Sequence, residues 1–316
     1  MRMHRQRGVA LLVAIVMFAL ATTVAAAITY NKAMAARRSA ATFTLEQALQ
    51  AGMSAEALAS IALEENGGNA RTSLDQDWAQ PVGPLEIEGT GVWIQAQLDD
   101  LSARFNLNSL VRWDAPTNAL KEDEHQVNVF RSLLRRLDLE PRWADLMVDW
   151  IDPDNMPFGD GGEDTLYVTQ LPSYRPPNTF ITHPSELLAL PGFGAERYAK
   201  LAPYVTALPI DVDVNLCTAN AIMLDVTKSN NQQEYDEAQL KAQRAKGCFP
   251  EKNAFLTNFN DPQVQQQVTE HVDEKSAWFR LRTHIRIGTA EFVLYSVLFR
   301  ESGNKVRVVQ RSFGSE

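Results

Sequence analysis

Apolar and polar residues divide the first part of the chain into two halves. The run from Val9 to Ile28 carries no charge, and a helix of that length, at about 1.5 Å per residue, crosses a bilayer core of roughly 30 Å. Beyond it, with no proline or glycine in between, apolar residues recur at every fourth position and form one stripe of a helix: Leu45, Leu49, Met53, Ala57 and Ile61. The pattern predicts one continuous helix over residues 9–66.

Alternation of apolar and polar residues predicts strands at two later places. Leu85–Glu88 and Val92–Leu98 flank a Gly-Thr-Gly turn, which is typical of a β-hairpin. Near the end of the chain, two short turns separate three more alternating stretches: Trp278–Ile287, Glu291–Arg300 and Lys305–Arg311. These predict a three-stranded antiparallel meander.

About 160 residues between the two strand regions have the patterns of helices. The candidate helices are Val129–Leu139, Trp143–Ile151, Ser185–Leu190, Ala195–Ala207, Ala219–Val226 and Tyr235–Ala245. A two-stranded hairpin is marginal by itself, so we expect it to join the C-terminal strands in one sheet that a helical insertion interrupts. Three sequential domains are the alternative.

The predicted fold class is therefore α+β, with a long N-terminal helix packed on an antiparallel sheet and a large, mostly helical insertion. We expect a leader over residues 1–8, the long helix over 9–66 and the first part of the sheet over 67–112. The insertion is expected over 113–270, as one unit or as two subdomains, 113–208 and 209–270. The C-terminal strands are expected over 271–316.

Charge restricts the function and sets the orientation in a membrane. The 316-residue chain has a net charge of -9, which argues against general nucleic-acid binding, because such binding needs clustered lysine and arginine. Arg2, Arg5 and Arg7 directly precede the apolar run, and the positive-inside rule places that end in the cytoplasm. We expect a single-pass protein of the bacterial inner membrane, with everything after about Asn31 in the periplasm.

The N-terminal segment fits three processing outcomes. Cleavage of the Gly8–Val9 bond, before the apolar run, is typical of type IV prepilins and pseudopilins, and it would leave a mature filament subunit or cap that keeps its helix. The small residues Ala25-Ala26-Ala27 also satisfy the rule for a conventional signal peptide, Met1–Ala27. An uncleaved membrane anchor is the third outcome. The continuous helix beyond the apolar run favours prepilin-type processing.

The chain has two cysteines, Cys217 and Cys248. In an oxidising periplasm they are expected to form a disulfide that closes a loop of about 32 residues and contributes roughly 3 kcal/mol. Two unpaired buried thiols are the alternative. The spacing of cysteine and histidine residues does not indicate a zinc site.

The densest group of carboxylates lies in the segment Asp149–Tyr167, which also contains several glycines and prolines. Its six members are Asp149, Asp152, Asp154, Asp160, Glu163 and Asp164. Such a group repels itself unless it is protonated, solvated or bridged by a cation, and hard oxygen ligands with loose geometry suit Ca²⁺ best. The spacing from Asp152 resembles an EF-hand, but Pro157 stands at the position of the required glycine, so we expect an irregular calcium loop. A solvated acidic loop and a pair of glycosidase carboxylates are the alternatives.

The remaining motifs indicate structure rather than catalysis. The segment Leu190–Gly194 resembles the turn of a helix-hairpin-helix motif, but the acidity of the chain and its expected location favour a tight connection between two helices. Asn106 and Asn108 are expected to cap turns. The five histidines form no metalloprotease motif, and the chain has no nucleophile elbow or phosphate-binding loop, so we do not expect an enzyme.

Taken in order along the chain, these motifs resemble the K-type minor pseudopilins of type II secretion systems, the general secretion pathway protein K family. The resemblance is carried by Gly8–Leu12, Ser102–Asn108, Asp149–Asp152 with Glu163, Asp164 and Tyr167, and the large helical insertion. It implies a pilin-like fold. With Val9 as mature residue 1, Val13 takes the fifth position, where most pilins carry a glutamate that neutralises the N-terminal amine of a neighbouring subunit. An apolar residue there suits a subunit that caps the filament.

The resemblance also implies partners and a cofactor. A prepilin peptidase would cleave after Gly8 and methylate Val9, and the chain would join I-type and J-type minor pseudopilins in a complex at the tip. Contacts would run along the helix through Leu45, Leu49 and Met53. The family's insertion binds calcium, which implies ligands at Asp152, Asp154, Glu163 and Asp164, with Asp149 and Asp160 as further candidates.

Three other classes of protein remain compatible with these patterns. A minor pilin of a type IV pilus would share the N-terminal helix and its processing. A secreted soluble enzyme would begin after Ala27. A membrane-anchored DNA-uptake protein would use the Leu190–Gly194 turn to contact phosphate.

Overall fold

The computed structural model describes residues 7–116, 118–228 and 234–314, so most of the predicted leader, Met1–Gln6, lies outside the described residues. Helix α1 (Arg7–Glu65) is continuous over 59 residues, which agrees with the prediction from the apolar pattern. It ends where Asn66, Gly67 and Gly68 follow, because asparagine and glycine are poor helix formers.

A five-stranded sheet packs on the second half of α1. The strands of the molecule, in chain order, are β1 (Val82–Ile87), β2 (Val92–Asp100), β3 (Phe105–Asn106), β4 (Val111–Asp114), β5 (Ala119–Glu122), β6 (Val205–Thr206), β7 (Val214–Asn215), β8 (Val272–Asp273), β9 (Trp278–Ile287), β10 (Ala290–Arg300) and β11 (Val306–Phe313). The sheet has the order β1-β2-β9-β10-β11, with every neighbouring pair antiparallel. Its strands lie where the alternating patterns predict them.

The pairing of β2 with β9 shows that one sheet is interrupted by an insertion. Val92 lies opposite Ile287 at one end of this pair, and Asp100 lies opposite Phe279 at the other. The chain between the two strands therefore leaves the sheet and returns to it. This topology confirms the predicted insertion and excludes three sequential domains.

The insertion is mostly helical and has a core of its own. Its helices are α2 (Glu124–Arg136), α3 (Arg142–Ile151), α4 (Asp164–Tyr167), α5 (Gly194–Leu201), α6 (Ala221–Thr227), α7 (Glu237–Arg244), α8 (Lys252–Leu256) and α9 (Pro262–Thr269). Phe105 stacks on Phe130 with ring centroids 5.0 Å apart, and Trp143 meets Phe193 edge to face at 5.2 Å. The same apolar core continues to Phe255, so residues 113–208 and 209–270 share one core.

The boundaries of the insertion differ from the expected ones. The sequence pattern predicts that residues 101–112 belong to the first part of the sheet. Instead, Phe105, Leu107 and Leu110 are fully buried in the helical core, so the insertion begins near Leu101. At the other end, β8 pairs with β7 rather than with the main sheet, so the insertion extends to about residue 277. In both places the strand pattern is too short to show which core the residues join.

Several helices of the insertion differ from the predicted ones in length or type. The predicted helix over Ala195–Ala207 ends at Leu201 and continues as a single 3₁₀ turn, Ala202–Tyr204. Pro203 explains this ending, because it has no N–H to donate and its ring clashes with the preceding turn. The segment Pro184–Ala189 is likewise a 3₁₀ helix, and α8 and α9 were not predicted.

Candidate functional site: the N-terminal helix and the acidic loop

The first half of α1 is apolar and exposed on all sides. Among the described residues, this is the one helix that is long and apolar enough to cross a membrane, and none of its apolar window is buried. Val13 is 48% exposed, and the first acidic residue of the helix is Glu46. The segment therefore offers apolar surface to lipid or to other helices, with no carboxylate near its start.

The second half of α1 turns its smallest residues toward the sheet. Ala48, Ala51, Ala55 and Ala59 are buried against strands β2, β9 and β10. Gly52 lies on the same face, where a Cβ atom would come within 2.4 Å of Leu294 Cδ2. Because small residues let a helix approach a sheet closely, this face fixes which side of α1 remains open.

Larger apolar side chains lie on the open side of α1. Leu45 and Met53 are exposed and Leu49 is half-buried, and Leu58 and Ile61 continue the same exposed surface. These five residues form what we call the outer stripe. An exposed apolar stripe on a long helix is typical of a surface that packs against another protein.

The acidic loop brings together three of the six candidate carboxylates. One oxygen each from Asp152, Asp154 and Glu163 lies within 4.8 Å of the others. Asp152 ends α3 and Glu163 precedes α4, so two short helices hold the buried members, while Asp154 is exposed. Asp152 Oδ1 and both Glu163 oxygens are buried without a hydrogen-bond donor.

These buried oxygens have an unusual electrostatic environment. Burial, together with the nearby charges of Asp154 and Asp149, raises the pKa of Asp152 to about 7. Burial and the charge of Asp149 also raise the pKa of Glu163 to about 7. Each carboxylate resists ionisation because the protein supplies negative charge around it but few donors.

The three other candidates are engaged elsewhere. Asp149 accepts from the Phe158 N–H at 2.8 Å and from the Gly162 N–H at 2.5 Å, so it shapes the loop from within. Asp164 pairs with Arg175 at 3.4 Å, and Asp160 is exposed outside the three-carboxylate group. The EF-hand-like spacing that included Asp160 is therefore not reproduced in space.

Asp145 is a loop-positioning residue that sequence reasoning missed. Its Oδ2 accepts from the Asp160 N–H at 3.1 Å, and its Oδ1 accepts from Arg131 at 2.7 Å. The sequence spacing could have identified it, because Asp145 lies four residues before Asp149 and therefore on the same face of α3.

The residue types of this group fit a hard cation. Three carboxylates converge, and two of them hold buried oxygens that no protein donor satisfies. Carboxylate oxygens with irregular geometry are what Ca²⁺ accepts, and a cation would satisfy the oxygens that the protein leaves without partners.

The other sequence motifs have structural positions. Asn108 Nδ2 donates to the carbonyls of Ile181 and Leu208, both at 2.9 Å, so it joins two loops of the insertion. In the Leu190–Gly194 turn, the carbonyls of Gly192 and Phe193 accept from Arg197, and Phe193 is fully buried. This turn has the form of a tight connection between helices.

Cys217 and Cys248 are joined by a disulfide. Cys217 is fully buried just after β7, and Cys248 lies in the loop before α8. The bond therefore ties the loop between α7 and α8 to the segment that joins β7 to α6.

A long N-terminal helix that packs its second half on an antiparallel sheet defines a pilin-like fold, and the apolar first half of that helix fits a single-pass membrane anchor. Residues 103–210 match the family described as "Type II secretion system (T2SS), protein K". Type II secretion system protein K of Pectobacterium carotovorum subsp. carotovorum is 32% identical over 98% of this chain and 97% of its own length. The protein of the same name from Pseudomonas aeruginosa is 30% identical over 98% of this chain and 93% of its own.

A solved structure agrees with these sequence relatives. One chain in the crystal structure of the GspK-GspI-GspJ complex from the enterotoxigenic Escherichia coli type 2 secretion system has a TM-score of 0.75 and 25% identity. The match covers 88% of this chain and 100% of that chain. The chain belongs to the type II secretion system protein K family and is a minor pseudopilin of that system.

Proposed function

We propose that this chain caps the tip of the type II secretion pseudopilus and helps to initiate its assembly for export of folded proteins across the outer membrane. The observation that carries the proposal is the apolar start of α1, where Val13 stands in place of a carboxylate. A subunit docking above would find no partner for its N-terminal amine, whereas this chain can still insert its own helix below.

The location of the insertion at one end of α1 also supports a position of this chain at the tip of the pseudopilus. Arg71, just beyond the C-terminal end of α1, donates to Glu274 at 2.7 Å, and the Thr72 N–H donates to the Glu274 carbonyl at 2.8 Å. The insertion thus lies at the end of α1 that is farthest from the membrane-length segment. A bulky domain at that end obstructs further growth in the same direction.

We propose that I-type and J-type minor pseudopilins bind along α1. The related solved structure is titled as a complex of GspK, GspI and GspJ. In the present chain, Leu45 and Met53 of the outer stripe are exposed, and Leu49 between them is half-buried. Burial of such a stripe against partner helices would contribute roughly 25 cal/mol per Å² of apolar surface.

We propose that a prepilin peptidase cleaves the chain after Gly8 and methylates Val9. The mature chain would stay in the inner membrane through the first half of α1, with the sheet and the insertion in the periplasm. The disulfide between Cys217 and Cys248 supports an oxidising compartment for the insertion.

We also propose that the acidic loop binds calcium. Asp152, Asp154 and Glu163 would hold the ion, while Asp145 and Asp149 hold the loop that carries them. A bound cation would neutralise the repulsion among these carboxylates and would fix α3 relative to α4.

Loss of the protein tests the secretion role against that of a type IV pilin. A strain lacking the chain is expected to retain exoproteins in the periplasm while its twitching motility stays normal. Loss of twitching with normal exoprotein release would instead favour a type IV pilus. For the tip position, antibodies against the insertion are expected to label one end of overproduced pseudopili, and labelling along their length would contradict capping.

A further inference from the structure

A cleft of about 810 Å³ separates the sheet from the insertion. Trp278, Tyr295, Val297 and Val309 line it from the face of the sheet opposite α1, and Phe180 and Tyr198 line it from the insertion. The volume lies in the range of specific binding pockets, roughly 300–1,000 Å³. The sheet therefore has a second apolar face that the protein's own elements leave open.

Arginine is the charged residue type in the lining of the cleft. Among the described residues, no aspartate or glutamate lines it, although the protein has a net charge of -9. Arg104 and Arg280 both line the wall, and Arg280 also donates to Asp99 at 2.8 Å. Burial and the charge of Arg280 lower the pKa of Arg104 to about 10, which keeps its guanidinium charged at neutral pH. Carboxylates are the complementary groups.

One wall of the cleft is also an edge of the sheet. Strand β11 is the last in the sheet order, and within the described residues its outer side pairs with no other strand. Val309, Gln310 and Ser312 of this strand line the cleft. The register shifts between Val297 and Leu298, which lie opposite Gln310 and Val308, so Val309 has no residue directly opposite it. The edge formed by β11 is therefore a rim across which an extended segment can enter the cleft.

We propose that this cleft binds an extended segment of a partner protein that carries apolar side chains around one or two carboxylates. The segment enters across β11 and lies along the cleft, where its apolar side chains contact Trp278 and Tyr295 and its carboxylate faces Arg104 and Arg280. This site is separate from the outer stripe of α1 and from the acidic loop, and it does not depend on the capping role.

The test uses the full chain in phosphatidylcholine nanodiscs, because detergent could itself occupy an apolar cleft. Three fluorescent peptides of about nine residues carry valine at every second position, except that the central one of these positions is aspartate, asparagine or lysine, and serine fills the positions in between. Binding is followed by fluorescence anisotropy. The aspartate peptide is expected to bind at least about tenfold more tightly than the asparagine peptide, because its carboxylate meets two guanidinium groups. The lysine peptide is expected not to bind.

Two substitutions of one exposed residue locate the binding site. Val309→Asp is expected to weaken binding of the aspartate peptide about tenfold or more, whereas Val309→Lys is expected to retain it. The matched control is Val82→Asp, because Val82 is 50% exposed on the opposite edge strand and Val309 is 49% exposed. Circular dichroism checks that each variant is folded.

Several outcomes would overturn the proposal. Equal binding of the three peptides would show apolar adsorption without charge recognition, and no binding would remove the peptide site. Equal binding by the Val309→Asp and Val309→Lys variants would place the peptide elsewhere. A change of oligomeric state in Val309→Asp, seen by light scattering, would show that a second copy of the chain occupies the cleft instead.

Discussion

Glu56 on α1 and Arg311 on β11 form a two-pronged ion pair, with Nε to Oε1 at 2.8 Å and Nη2 to Oε2 at 2.7 Å. Glu56 is buried in the small-residue face of α1, and the Ser296 hydroxyl also donates to it at 2.6 Å. Since this carboxylate has one set of partners on the sheet, the pair fixes the rotation of α1. It thereby keeps the outer stripe turned away from the sheet.

Removing the cation of this pair is expected to destabilise the periplasmic part of the protein. Arg311→Met leaves the buried Glu56 carboxylate with the Ser296 hydroxyl as its described donor. We expect the free energy of unfolding to fall by about 2 kcal/mol. This is less than the roughly 3–5 kcal/mol for breaking a fully buried pair, because Arg311 is half-exposed, and urea denaturation measures the change. The control is Arg307→Met, whose exposed pair with Glu301 is worth about 0–1 kcal/mol. Equal losses in the two variants would contradict the role of Glu56.

The disulfide is expected to stabilise the insertion. Replacing both cysteines, in Cys217→Ala with Cys248→Ala, opens a loop closed over a sequence separation of 31 and is expected to cost about 3 kcal/mol, chiefly by freeing the unfolded chain. Urea denaturation of the variant and of the native protein, each with and without reductant, gives the measurement. Reductant should destabilise the native protein alone. If the double variant is as stable as the oxidised protein, the bond contributes nothing.

Calcium is expected to raise the melting temperature through the three converging carboxylates. At about 100 times its Kd an ion contributes roughly 2.7 kcal/mol, which corresponds to an increase of roughly 5–10 °C for a domain of this size. In Glu163→Gln, calcium is expected not to raise the melting temperature. In chelator, this variant is expected to melt at a higher temperature than the native protein, because the substitution removes one repelling charge. Asp160→Asn is the control in the same loop and should keep the increase. Identical melting curves with calcium and with chelator would remove the metal site.

Stability of the calcium-free protein is expected to fall as pH rises from about 5 to about 8. The pKa values of Asp152 and Glu163 are raised to about 7, and that of Asp149 to about 6. The folded state therefore binds more protons than the unfolded state between the ordinary carboxyl pKa and pH 7, and its free energy of unfolding decreases through that window. Denaturation with urea at the two pH values measures the decrease.

Calcium should reduce this pH dependence, because the metal binds the ionised carboxylates and its affinity improves as they lose protons. Glu163→Gln should show a smaller decrease than the native protein in chelator. A calcium-free protein that gains stability between pH 5 and pH 8 would contradict the electrostatic description of the loop.

The sheet could be predicted from the sequence because its signals are local. In β9, apolar residues alternate with polar ones from Trp278 to Ile287, and Gly288 marks the turn that follows. The helix α1 could also be predicted, because no proline interrupts it. The insertion between β2 and β9 followed from the instability of an isolated hairpin, which is a general argument about strand pairing.

The orientation of α1 could not be predicted from its periodicity. The stripe of Leu45, Leu49 and Met53 is the more apolar one, yet the sheet packs against the alanine stripe that includes Ala48 and Ala55. Hydrophobic periodicity ranks faces by apolarity, whereas packing here is decided by how closely the backbone can approach β10, as the contact of Gly52 with Leu294 shows.

The acidic loop could be recognised but not resolved from the sequence. Spacing does not show which of the six carboxylates face one another, and the fold brings Asp152, Asp154 and Glu163 together. Asp149 is taken by backbone N–H groups that only the folded loop presents. The cleft between sheet and insertion had no sequence signal, because residues from Arg104 to Ser312 line it.

The mature N-terminus tests the central claim, that the chain is a processed pseudopilin anchored by α1. Mass spectrometry of the protein purified from membranes is expected to show a chain that begins at methylated Val9. Gly8→Leu should leave the leader attached and stop exoprotein release, whereas Ala27→Leu should be processed normally. A mature chain that begins at Ile28, with normal processing of Gly8→Leu, would contradict the account.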